Sequence, residues 1–211
     1  MIEETARQKK SRETKERVFT TVQRLLREYD YSALTVKNIC SEVGIANGTF
    51  FHFFKSKDDM LARYLNEGFK GYLDSLGVDL DAEPDFSTHS LKDQIIEIYL
   101  HYADYCQLSG VDFISDYYST SNQALAVHLS ENGEPGDIVS ERIVLMVNAA
   151  KEKGLVNPAT DSEQVERDLC TVVKGSVFDW CLSCGGSEFK SVIERLLGIY
   201  IDSELSLRKL Q

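Results

Sequence analysis

Residues 44–57, GIANGTFFHFFKSK, place four phenylalanines within five consecutive positions, Phe50, Phe51, Phe53 and Phe54, interrupted only by His52. On a helix of about 3.6 residues per turn, Phe50, Phe53 and Phe54 share an arc of roughly 100°, while Gly48 and His52 point away from it. One face of this short helix therefore belongs to a core, Phe51 flanks that face, and the opposite face is polar. The segment before it predicts a second short helix: Thr35 is a suitable N-cap, the helix runs through Val43, and Gly44 ends it. Upstream, Val18, Val22, Leu25, Leu26 and Tyr29 recur at helical spacing behind a basic leader of Arg7, Lys9, Lys10 and Arg12. Asp30, which tolerates left-handed geometry, is expected to form the turn after this first helix. Ser56 followed by Asp59 reads as a capping box opening a fourth helix that runs to about Leu76.

Short helix, glycine turn and second short helix is the order of a helix-turn-helix, whose second helix enters the major groove of DNA. The charge distribution agrees. Residues 1–57 hold 11 Lys+Arg against 7 Asp+Glu, a net +4, whereas the remaining 154 residues hold 12 against 27, a net −15. A small basic head on an acidic body suits a site-specific DNA binder with a separate sensing or pairing domain, and not a protein that coats nucleic acid.

The residues 34–61, LTVKNICSEVGIANGTFFHFFKSKDDML, resemble the DNA-binding signature of the TetR family of bacterial transcriptional regulators. Thr35, Gly44, Thr49 and Lys57 match the family's capping Thr, turn Gly, early recognition-helix Thr and the Lys opening the fourth helix. Three positions depart from it: Asp30 stands where Gly is usual, Ala46 where a Ser or Thr often caps the recognition helix, and Phe51 where a Tyr commonly bonds a phosphate. Loss of that hydroxyl removes about 1 kcal/mol of contact. The residues themselves point to the same interface. Asn47 carries the donor and acceptor that pair with adenine N6 and N7, and Gly48 lets the backbone approach the groove. Thr49 suits a phosphate or a thymine methyl, His52 faces outward, and Lys37 and Lys57 supply charge for phosphates. The expected DNA-binding set is thus Lys37, Asn47, Gly48, Thr49, Phe51, His52 and Lys57, on double-stranded operator DNA.

Every strong periodicity in the rest of the chain is also helical, so the fold expected is all-α: a three-helix helix-turn-helix head over 1–56 and a helical-bundle body over 57–211 for effector binding and dimerisation. A loop over 77–90 precedes a helix from Leu91 to Leu108 and another from Val111 to about Tyr118, and Pro135 is placed to open a helix ending near Lys153 with Gly154 as its cap. Val165, Leu169, Val172, Val173, Ser176, Val177 and Trp180 form one stripe, and Phe189, Val192, Ile193, Leu196, Leu197 and Tyr200 form the last. The continuity of these stripes predicts a homodimer burying Val172, Val173, Ser176, Val177, Leu196 and Leu197 about a two-fold axis. Tyr99, Tyr102, Tyr105, Phe113, Tyr117, Tyr118 and Trp180, near Asp104, Asp116 and Asp179, suit a pocket. The resemblance implies that it holds a small effector whose binding lowers operator affinity, as in a repressor.

Other classes find less support. No apolar run reaches the ~18 residues that span a bilayer, and the opening MIEETARQKKSR lacks the apolar stretch of a signal peptide. With five cysteines, an odd number suited to reduced thiols, this predicts a cytoplasmic protein without a membrane partner. Cys181 and Cys184 have the spacing of a redox or zinc half-site, and a thiol-sensing regulator is the principal alternative. His89, His101 and His128 show no ligand spacing, and Glu97 precedes His101 by four positions instead of the three of a di-iron bundle. No metal or cofactor is expected. A helical-bundle enzyme is disfavoured, since no nucleophile elbow or phosphate-cradling Gly-rich loop occurs.

Overall fold

The computed structural model describes residues 5–119, 137–186 and 188–205. These form nine α-helices and one 3₁₀ turn, with no strand among the described residues: α1 Ala6–Leu25, α2 Val36–Val43, α3 Asn47–Phe53, α4 Lys57–Leu76, α5 Leu91–Ser109, α6 Val111–Tyr117, α7 Ile138–Glu152, α8 Ser162–Leu182 and α9 Phe189–Glu204. The chain divides into two compact units, Met1–Leu65 and Asn66–Gln211, so the boundary falls inside α4.

In the first unit, α1 packs on α2 and α2 on α3. Val18, Val22 and Leu25 of α1 meet Ile39, Cys40 and Val43 of α2 in a buried core that Leu34, Phe50, Phe54, Met60 and Leu61 complete. Thr35 caps α2 by accepting from the Asn38 N–H at 3.1 Å. Gly44 ends it in the left-handed region, φ +75°, where a side chain would be strained. Ser56 accepts from Asp59 N–H at 3.0 Å, and the Asp59 carboxylate accepts in return from the Lys55 N–H, one residue ahead of the cap, at 2.8 Å.

The basic leader is itself helical: α1 begins at Ala6, opened by a reciprocal capping box between Thr5 and Gln8, so Arg7, Lys9, Lys10 and Arg12 lie on the helix, and Arg12 pairs with Glu16 at 3.0 Å. One expectation at this end is corrected. Asp30 is extended, φ −61° and ψ 144°, not left-handed, because the 3₁₀ turn Tyr31–Ala33 makes the reversal instead. That turn buries Tyr31 and leaves Tyr29 exposed.

In the second unit α5 contacts α6, α7 and α9, and α8 contacts α6, α7 and α9. Ser90 and Asp93 form the capping box of α5, and Gly110, φ +90°, makes the corner into α6. The described start of α7 is capped by Asp137, which accepts from Val139 N–H at 2.9 Å; Pro135 and His128 lie outside the described residues. Gly154, φ +70°, follows the α7 C-terminus. Across the helices, Lys190 pairs with Asp104 at 2.7 Å, Lys92 with Asp202 at 2.6 Å, and the Tyr200 hydroxyl donates to Asp168 at 2.8 Å. Trp180 of α8 stacks on Phe189, with ring centroids 4.9 Å apart and planes 14° from parallel.

The expected dimer face is corrected as well. Val173, Ser176, Val177 and Leu197 are buried inside the single chain, and Val172 and Leu196 are half-buried. The apolar stripes of α8 and α9 are covered mainly by each other and by α5, α6 and α7, which removes the four buried residues from a dimer face and leaves Val172 and Leu196 partly open. What remains uncovered is the adjacent strip: Phe178 and Leu182 of α8 are 47% and 69% exposed, and Ile199 of α9 is 61% exposed. Gly175 lies on that side of α8 with open space where a Cβ would stand.

Candidate DNA-binding face and effector cavity

The recognition helix α3 has the two faces its sequence predicts. Phe50 and Phe54 are buried, with centroids 5.1 Å apart, and Phe54 packs against Phe19 of α1 at 5.8 Å. Phe53 is half-buried beside them. Phe54 has already left the helix: it is the C-cap, φ −134° and ψ 133°, and bends the chain toward α4. Asn47, Gly48 and His52 are exposed, Thr49 is half-buried, and Phe51 turns outward at 55% exposure. Ala46 offers no side-chain cap, and the helix is closed by main-chain bonds from Thr49 and Phe50 to its carbonyl. Lys37, in the first turn of α2, is exposed.

Lys57 is placed differently from the expectation. Its ammonium donates to the Tyr31 carbonyl at 2.8 Å and the Leu34 carbonyl at 2.9 Å, and lies 3.9 Å from the Tyr31 ring centroid. The Tyr31 hydroxyl donates to Asp58 at 2.7 Å. The start of α4 thus grips the segment joining α1 to α2, and a side chain that neutralises these carbonyls is committed to holding the head together. Arg17, donating to the Val43 carbonyl, and Arg24, paired with Glu42 at 2.5 Å, tie α1 to α2 in a similar way.

In the body, Tyr99 and Tyr102 of α5, Tyr117 and Tyr118 at the end of α6, Asp137, Val139 and Ser140 at the start of α7, and Cys170, Val173 and Lys174 of α8 line a cavity. Its open space is narrow, about 30 Å³, which suits a water or two. Four expected pocket residues, Tyr99, Tyr102, Tyr117 and Tyr118, meet there. Three do not: Tyr105 packs on Phe69 and Tyr72, Trp180 is stacked on Phe189, and Phe113 is half-buried outside the lining. Asp137, Ser140, Cys170 and Lys174 were not expected. The Tyr102 and Tyr118 hydroxyls bond each other at 2.9 Å. Behind the lining, fully buried Glu166 accepts from the Ser140 hydroxyl at 2.5 Å. Burial raises the pKa of Asp137 and pushes the Cys170 thiol up to about 12, so neither group ionises as readily as it would in water.

Cys181 is partly buried, and burial raises its thiol pKa, which opposes formation of the reactive thiolate. Cys184 is exposed in the turn after α8 with φ 53°, and both cysteines are free. Among the described residues no group of three His, Cys, Asp or Glu could hold a metal ion, and no helix is long and apolar enough to cross a membrane.

Residues 23–64 match the sequence model of the bacterial regulatory proteins, tetR family. No curated protein matches the chain at a significant level. Solved structures do. One is Thermus thermophilus FadR, a TetR family transcriptional repressor in complex with lauroyl-CoA, at 17% identity over 93% of this chain and 98% of that one, TM-score 0.61. A TetR transcription regulator from Haloarcula marismortui ATCC 43049 is 21% identical over 92% and 99%, TM-score 0.55. The fatty acid degradation regulator FadR from Bacillus halodurans is 14% identical over 87% and 96%, TM-score 0.55. These identities establish the fold alone; the matched segment, which spans the end of α1 through the first turns of α4, identifies the head. The head thus carries the helix-turn-helix segment of the bacterial regulatory proteins, tetR family, and the described residues share the all-helical fold of solved TetR-family regulators.

Proposed function

We propose that this protein is a homodimeric transcription regulator that represses from a two-fold operator and is released when a small molecule binds its body. The observation that carries this reading is α3: a helix whose aromatic face is locked into the head while Asn47, Gly48 and His52 stand free on the other side. Exposed Lys37 flanks them as the phosphate contact. Asn47 reads a base, Gly48 permits close approach, and Thr49 and Phe51 border the contact, Phe51 through apolar surface alone. In a dimer the two recognition helices must meet half-sites about 34 to 36 Å apart.

An operator selected from a random DNA pool tests this directly. Asn47→Ala is expected to lower affinity for that operator by ~1 to 3 kcal/mol and to leave random DNA nearly unaffected, as loss of a paired base contact requires. Equal loss on both kinds of DNA, or none, would remove α3 from the groove.

Dimerisation is supported by the uncovered strip of α8 and α9 in place of the buried stripe. Phe178 and Leu182 present apolar surface on the Gly175 side of α8, where the missing side chain lets a second helix come close, and Ile199 adds exposed apolar surface on α9. Phe178→Asp is expected to convert a dimer at micromolar concentration into a monomer, measured by sedimentation, with the helix content unchanged. A dimer that persists would move the interface elsewhere.

The tyrosine-lined cavity is the effector site in this reading. Its open space is small, so in this reading a ligand larger than a water or two must widen it, and the Tyr102–Tyr118 bond among its lining side chains is one that would yield. A ligand favouring that opened form shifts the population away from the DNA-binding one, by no more than its difference in affinity for the two. The thiol-sensing alternative loses ground because burial disfavours the Cys181 thiolate.

A further inference from the structure

One polar atom in the cavity has nothing to bond. The Tyr99 hydroxyl, on a side chain only 3% exposed, has no hydrogen-bond partner among the described residues. Buried hydroxyls nearly always find one, so an orphan facing a cavity marks where a ligand atom belongs. Its surroundings select the ligand's charge. Tyr99 titrates well above an ordinary tyrosine, first because it is buried and then because Cys170, Glu166 and Asp137 lie close by. Asp137, the N-cap of α7, lines the cavity together with Lys174 of α8, and Glu166 of α8 lies behind the lining; both acids act on this hydroxyl electrostatically. An anionic ligand would meet the Asp137 carboxyl group beside Lys174, with Glu166 behind the lining, in a poorly solvated space. A cation would meet Asp137, the Tyr99 oxygen and the faces of tyrosine rings, with Glu166 adding to the field from behind the lining.

We propose that the cavity takes a compact organic amine in its protonated form, its ammonium donating to the Asp137 carboxylate and to the Tyr99 hydroxyl oxygen, its small apolar or aromatic frame lying among the tyrosines. The existing space holds the head group, and the frame enters as Tyr102 and Tyr118 separate. This specifies the ligand class of the effector site and rests on that reading. It also sets this chain apart from the similar Thermus thermophilus protein, which was crystallised with lauroyl-CoA: an acyl-CoA brings several negative charges and no cation.

The test uses the full-length protein at neutral pH with tyramine and phenethylamine, set against 4-hydroxyphenylacetate and phenylacetate as anions of matching size, and against lauroyl-CoA. Calorimetry and thermal shift are expected to show binding of the amines and none of the acids. Asp137→Asn keeps the oxygen that caps α7, so the fold should survive, and amine affinity should fall by about tenfold or more. Tyr99→Phe removes a desolvated, unpartnered hydroxyl, so the ligand-free protein should melt higher while amine binding weakens. Failure of both amines to bind, acids or lauroyl-CoA binding as well as the amines, or amine binding indifferent to Asp137→Asn would each overturn the cation assignment. The effector reading is judged separately: it fails if a ligand shown to bind the body leaves operator affinity unchanged.

Discussion

Phe54→Ala is expected to cost the head about 3 to 5 kcal/mol and to abolish operator binding by unfolding the surface that carries it. The ring is 1% exposed and touches Phe50, Phe19 and Phe53, so truncation leaves a cavity between α1 and α3 that the packed helices cannot fully collapse into. Domains of ordinary stability hold about 5 to 15 kcal/mol in total. The loss therefore populates unfolded head at working temperatures. Circular dichroism melting should show the earliest transition shifted strongly downward, and operator affinity recorded against temperature should track it. Phe51→Ala is the control: that ring is largely exposed, so its removal should scarcely move the melt. A Phe54→Ala head that melts normally yet fails to bind DNA would mean that the ring belongs to the interface and not to the core.

Lys57→Ala should produce the second largest effect, about 2 to 3 kcal/mol of head stability. It removes two charge-assisted hydrogen bonds, each contributing about 1.5 to 3 kcal/mol where buried, and a cation lying over the Tyr31 ring. The ammonium is partly solvated, which keeps the total toward the lower end of that sum. The sequence-based expectation was a phosphate contact, whose loss would flatten the salt dependence of DNA binding by about one counterion per head. With the ammonium spent on two carbonyls, the salt slope of the mutant should instead match the parent below its lowered melting point. A flattened slope with an unchanged melt would restore the phosphate role. Lys37→Ala, whose side chain is exposed, should show the slope change without the stability loss.

These two residues mark where reading the sequence succeeds and where it stops. Thr35, Gly44 and the phenylalanine arc were legible because each acts on its own neighbours: a cap three residues away, a left-handed turn in place, a face defined by helical period. Lys57 acts on carbonyls 26 and 23 residues upstream, and no local spacing announces that reach. Asp30 misled for a related reason. A residue that tolerates a left-handed turn need not make one when a 3₁₀ turn beside it buries Tyr31. In the body, period correctly found the apolar face of α8 but could not say what covers it, so Val173 and Val177 were assigned to a partner when the chain's own helices bury them. Four of the ten cavity residues are identifiable from sequence as aromatics on α5 and at the end of α6. Asp137, Cys170 and Lys174 join them only through the packing of α7 and α8, and the one available hint was the capping potential of Asp137 itself.

The chain has a single tryptophan, and it lies in α8, sandwiched against Phe189 where α8 meets α9. Indole fluorescence is therefore a private reporter of the body. Its emission maximum and quenching will follow separation of α8 from α9 and will be silent to melting of the head, which contains no tryptophan. Recorded beside circular dichroism, it divides one unfolding curve into two without a label or an added mutation. A head variant such as Phe54→Ala should shift the dichroism trace and leave the fluorescence trace in place.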